Sequence, residues 1–122
     1  ARARHAIEAH SYSGGTPPGS TEAKILRDAD RLEALGAIGV ARCFAVSGAL
    51  DRPLIHPDDP FARDRAPDDQ SYALDHFAVK LLKLPETFLT ATGRKLAEDR
   101  AEKMRRYLVD LAGELGFPPP DW

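Results

Sequence analysis

One cysteine stands in the 122-residue chain, Cys43, and a lone cysteine excludes an internal disulfide. Its neighbours Ala41, Phe44 and Val46 are apolar, so a buried, inert thiol is expected there, not a nucleophile. Charge of one sign is also lacking: 17 Lys and Arg against 19 Asp and Glu leave a formal net charge of −2. That balance supplies no basic field for a nucleic acid. No apolar run approaches the ~20 residues of a membrane span, so no membrane partner is expected. A charged-then-apolar leader pattern is missing as well, which makes a reducing cytoplasm the expected compartment. Histidine is confined to His5, His10, His56 and His76, and no His-Asp dipeptide occurs. Neither a period-2 strand pattern nor an internal repeat is present. What remains is an all-α chain of one-domain size, able to bury roughly two-thirds of its unfolded surface.

Helical signals recur along the chain. Residues Ala1 to about Ala9 read as the tail of a helix, and the loop Ser11–Gly19, with Pro17-Pro18, ends it. The Ser13-Gly14-Gly15 turn follows a helix and lacks the Lys-Ser/Thr of a Walker loop, which rejects a P-loop. Ser20 or Thr21 caps a second helix, with Glu22 in its positive first turn, and Gly36 ends it. The segment Ala37–Val46 is short and apolar, so a packed helix is expected, with a buried strand as the other reading of the pattern; Gly39 and Ala41 permit close contact. From about 47 to 70 the chain becomes rich in Pro and Asp, a long loop of the kind that is either functional or disordered. Ser71 is placed to cap a helix bearing Leu74, Phe77, Leu81 and Leu84 and closed by Pro85. A last helix, Ala91–Leu115, aligns Leu96, Arg100, Met104, Leu108, Leu111 and Leu115 as a core stripe before Gly116 and Pro118–Pro120.

The run from Ser20 to Arg42 carries two acids in an otherwise apolar helical pattern. Ile25, Ala29, Leu32 and Gly36 share one face and are expected to meet the core, with Asp30 at its edge. A carboxylate so placed requires a cation, a donor network or a metal; an ion pair with Arg27 or Arg31 at the helix surface is the simplest of these. Asp28, two residues earlier, points to another face and reads as a surface acid or a support for its neighbours.

Ala29-Asp30-Arg31-Leu32 resembles the last motif of the HD-domain metal-dependent phosphohydrolases. So do His10-Ser11-Tyr12-Ser13-Gly14-Gly15, the continuation from Gly36 to Arg42, and His76-Phe77 with Lys80-Leu81, Leu84, Thr90 and the final helix. The resemblance spans roughly residues 5 to 115 and implies an HD-domain-like helical bundle. It implies that Asp30 ligates a divalent metal ion (Mn, Mg, Fe, Co, Ni or Zn) and that His10 has a catalytic part, contacting substrate phosphate or a second metal. Asp28, Arg42, His76 and Lys80 are candidates for substrate contact or for supporting the site. The first His and the His-Asp pair of the family precede the His10-like segment and are absent here. The expectation is therefore that residues 1–122 are the C-terminal part of a single, incomplete HD-like domain. Its substrate would be a nucleotide or other phosphorylated small molecule, with Asp30 in a concave site beside His10. The partner would be the missing N-terminal half or a second copy, because apolar faces of Glu22–Leu35 and Ala37–Val46 would lose their cover. The rival expectation is a non-catalytic helical binding or oligomerisation module.

Overall fold

The computed structural model describes residues 19–122. The expected first helix, and with it His5 and His10, lies outside these residues. Four α-helices follow: α1 (Thr21–Leu32), α2 (Gly36–Ala49), α3 (Asp75–Val79) and α4 (Ala91–Leu115), with a 3-10 segment at Leu81–Thr87. Among the described residues there is no strand, and the expected all-α class holds.

Local chemistry sets the helix starts. The Ser20 hydroxyl accepts from the Ala23 N–H at 3.1 Å, and Thr90 does the same for Gly93 at 3.0 Å at the start of α4. Such caps contribute about 1 kcal/mol each. The segment Ala37–Val46 resolves as helix, extended by one residue at its start and three at its end. α2 follows α1 after a bend of 66°, and Gly39 allows the tight turn: a Cβ there would lie 2.3 Å from the Ala34 carbonyl oxygen. The last carbonyls of α1 need outside donors, and Arg100 of α4 supplies one, reaching Leu32 O at 2.6 Å.

α4 is the spine, packed against α1, α2 and the 3-10 segment. Its buried line is Ala97, Ala101, Met104, Leu108 and Ala112, while Leu96 is exposed. The stripe is therefore rotated from the expected one. Alanines let neighbouring elements approach where leucines would hold them off, and a count of large apolar residues does not register them. Phe77 stacks on Tyr107 with ring centroids 6.1 Å apart, and Phe44 contacts both rings.

Two other expectations change. Leu74, Phe77, Leu81 and Leu84 are all buried, yet the helix meant to carry them is split. The backbone breaks at Lys80 (φ −136°, ψ −56°), and the 3-10 segment takes in Pro85. Ser71 caps nothing there; its hydroxyl donates to Asp68. The Pro/Asp-rich loop, for its part, is pinned. The Ala73 and Leu74 N–H groups donate to the Pro53 and Leu54 carbonyls at 2.9 Å each, Phe61 is buried against Trp122, and Arg63 reaches the Pro118 and Pro119 carbonyls at 2.7 Å each. Several of its acids are turn-makers: Asp59 accepts from the Arg63 and Asp64 N–H groups, which lowers its pKa.

Candidate functional site

The residues singled out on α1 separate. Asp28 is buried at 3% exposure. Its Oδ1 accepts from the Leu89 N–H at 2.9 Å, and its Oδ2 from the Thr90 N–H at 2.8 Å and the Thr90 hydroxyl at 2.6 Å. The surface placement expected for Asp28 is thus replaced by a buried junction between α1 and the start of α4. Asp30 is exposed, as are Ile25, Leu26 and Ala29. The core face of α1 is therefore not the expected Ile25–Ala29 face: it runs through Ala23 and Asp28, with Leu32 partly buried. Burial and the neighbouring Arg27 lower the Arg31 pKa, while Asp28 and Asp30 act in the opposite sense. Arg31 thus lies within the field of Asp30.

A cleft of about 280 Å³ opens where α2 meets the end of the long loop. Arg42, Cys43 and Ser47 line it from α2, Arg52, Asp69 and Gln70 from the loop, and His76 from α3. The Arg52 Nε donates to the Gln70 carbonyl at 3.1 Å, while the Arg52 N–H donates to the Ser47 carbonyl at 2.9 Å. His76 Nδ1 sits 2.8 Å from Asp69 Oδ2. Arg42 pairs with Glu33 at 3.1 Å in an exposed contact, the kind of pair that contributes little. On the far side of the Arg52–Gln70 bridge lies a second depression of about 380 Å³.

The cleft brings together Arg42 and His76 of the sequence-level candidates. Asp28, Asp30 and Lys80 do not line it; Lys80 is exposed at the break after α3. Asp30 lines none of the described clefts, and His10, beside which its concave site is expected, lies outside the described residues. Sequence reading missed Arg52, Asp69 and Gln70. The one signal available was the length of the Pro/Asp-rich loop, whose two ends carry all three.

Cys43 is held inside the cleft wall, its thiol 3.6 Å from the Ala73 carbonyl. Burial pushes its pKa up to about 11, with Asp69 adding to the rise and Arg52 opposing it. The expected inert thiol follows. Because the folded-state pKa is raised, native stability is unaffected below the ordinary value of 9.0 and falls as pH rises from there through about 11. Alkylation by iodoacetamide at pH 8 should run roughly 100-fold slower than for a free cysteine peptide, since each pKa unit is tenfold in thiolate. Reaction at the peptide's rate would show an open, unperturbed thiol.

Among the described residues, no three His, Cys, Asp or Glu side chains converge to hold a metal ion. One exposed carboxylate is too few donors for a divalent site, so these residues alone do not fit a metal. No single helix among them is long and apolar enough to cross a membrane.

This helical arrangement is the kind found in HD-superfamily hydrolases. The chain is similar to the crystal structure of an HD-superfamily hydrolase from Bacillus thuringiensis, at 40% identity and a TM-score of 0.66, covering 80% of this chain and 47% of that one. It is also similar to the crystal structure of Bacillus subtilis YpgQ in complex with ADP, at 39% identity and a TM-score of 0.72, over 93% of this chain and 50% of that one. In sequence alone, the chain is 37% identical to YpgQ, described as uncharacterized, over 98 residues, which is 80% of this chain and 42% of YpgQ. The chain thus spans about half the length of these relatives. No family model matches it.

Proposed function

We propose that the chain is the C-terminal part of an HD-type, metal-dependent phosphohydrolase that cleaves a nucleotide phosphoester or phosphoanhydride. The similarity to the Bacillus thuringiensis HD-superfamily hydrolase carries this reading, and it covers 80% of the present chain. The ADP bound by YpgQ supports a nucleotide as ligand. In this reading Asp30 contributes one carboxylate to a divalent ion whose other ligands, a His and a His-Asp pair, come from an N-terminal half. The ion would polarise a phosphoryl oxygen and lower the pKa of a bound water. His10, Arg42, His76 and Lys80 would serve binding or proton transfer from this chain. The exposed Ile25, Leu26 and Ile38 would be the faces on which the N-terminal half, or a second copy, packs.

The same exposed residues favour a second reading, a helical association module without chemistry. Phosphate release from a panel of nucleoside di- and triphosphates with Mn²⁺ separates the two. A protein extended at its N-terminus to the length of its relatives should release phosphate or pyrophosphate, while the 122-residue chain should not. Inactivity of both would favour the module, and equal activity of both would contradict a site completed by an N-terminal half.

A further inference from the structure

We propose that the cleft between α2 and the Arg52–Gln70 bridge is a phosphate-binding subsite, with Arg52 and His76 as donors and Asp69 as the residue that positions His76. The nucleotide identity of the ligand rests on the phosphohydrolase reading; the anion site itself does not.

The Arg52 guanidinium is clamped at one edge. Its Nε is held by the Gln70 carbonyl at 3.1 Å, and its backbone N–H ties it to the C-terminal turn of α2 at the Ser47 carbonyl. Neither terminal nitrogen makes a hydrogen bond among the described residues, which leaves a fork of the geometry that grips a phosphate through two parallel hydrogen bonds. Pre-orienting the fork removes part of the ordering cost of binding.

His76, on α3, is held in the same manner. Asp69 engages Nδ1 at 2.8 Å, so Nε2 is the ring nitrogen left to the cleft that His76 lines. An imidazolium so placed donates one N–H to Asp69 and the other to a phosphate oxygen. The pairing also answers the obvious objection, that Asp69 is an anion lining an anion site, because its carboxylate is engaged by the ring. Arg42 adds a cation at the rim, released from Glu33 at little cost since both are solvated. The volume, about 280 Å³, lies at the lower edge of the ~300–1,000 Å³ of small-molecule pockets, which suits a phosphate group and its immediate substituent. Val46 and Leu81 provide apolar wall for that substituent.

Inorganic pyrophosphate, titrated into the 122-residue chain without metal, is the probe. Binding should saturate, shift the His76 ring-proton resonance in the NMR spectrum, and be displaced by ADP. Arg52→Gln and His76→Gln should each weaken the pyrophosphate Kd at least tenfold, and Arg52→Lys, which keeps the charge but loses the fork, by an intermediate factor. Asp69→Asn should weaken pyrophosphate binding with the native amide spectrum retained, and Asp69→Glu, which restores a carboxylate for His76 Nδ1, should recover part of the affinity, a rescue that a purely structural role would not show. Arg106→Gln, on the exposed side of α4, should leave the Kd within twofold. Should Arg52→Gln lose its native amide spectrum, Arg52→Lys carries the test. Unchanged affinity in folded Arg52 and His76 variants, or no saturable binding, overturns the subsite; ADP that binds without displacing pyrophosphate overturns its assignment to nucleotides. Pyrophosphate binding here alongside an inactive extended protein would sink the hydrolase reading and leave the subsite standing.

Discussion

Asp28→Ala should lower the melting temperature of this chain by on the order of 10–15 °C, a loss of roughly 3–4 kcal/mol. The carboxylate is buried at 3% exposure and satisfies three donors at the Leu89–Thr90 turn. Its removal strands two buried backbone N–H groups, each costing about 1–3 kcal/mol unsatisfied. It also frees the Thr90 hydroxyl, which caps α4 through Gly93. The junction is tight enough to require that glycine, because a Cβ at Gly93 would lie 2.4 Å from Asp28 Oδ2. Asp28→Asn, which keeps an acceptor oxygen, should recover about half of the loss. Asp30→Asn, two residues on and exposed, should stay within about 0.5 kcal/mol of the parent. Thermal melts of the three variants decide it; an Asp28→Ala chain melting within about 3 °C of the parent would mean the turn is held by packing alone.

Asp75→Ala should cost about as much, roughly 3–5 kcal/mol, for a different reason. Asp75 is fully buried and receives both terminal nitrogens of Arg65 and the Asp68 N–H. The hydrogen bonds that Arg65 donates to Asp75 raise the Arg65 pKa. Without its partner, a guanidinium that is 19% exposed keeps only the Asp59 contacts and the face of Tyr72, 4.9 Å away. The expected result is a lower melting temperature together with rapid proteolysis within residues 50–70. The pair Arg65→Met with Asp75→Leu should regain much of the stability, since a matched apolar pair avoids the uncompensated charge. Restored melting with continued loop cleavage would show that the ion pair specifies the loop's path as well as its stability.

The helices at 21–32 and 91–115 were legible because a cap or a terminator sits beside a periodic run: Ser20 at the start of α1, Gly116 and three prolines at the end of α4. The segment 37–46 left helix and strand both open, since it is short and largely apolar and no side chain caps its start. The faces were less legible. Ile25 and Ala29 keep helical spacing with Leu32, yet the core takes Ala23 and Asp28, because a buried acid satisfied from 61 and 62 residues away leaves no local pattern. The same holds for α4, where alanines carry the contact. Order in the Pro/Asp-rich loop rests on Arg65 with Asp75 and Arg63 with the Pro118 and Pro119 carbonyls, pairings across sequence that composition cannot announce. Of the cleft, His76 and Arg42 were readable from the family resemblance, whereas Arg52 and Asp69 became candidates only when the fold joined the two loop ends.

The central claim is that Asp30, exposed on α1, is a metal ligand completed by residues beyond this chain. Calorimetric titration of Mn²⁺ into the N-terminally extended protein tests it most directly. The account predicts stoichiometric binding by the parent, weakened well beyond tenfold by Asp30→Asn with the melting temperature of the metal-free protein unchanged. Equal Mn²⁺ affinity in the parent and Asp30→Asn proteins would contradict it.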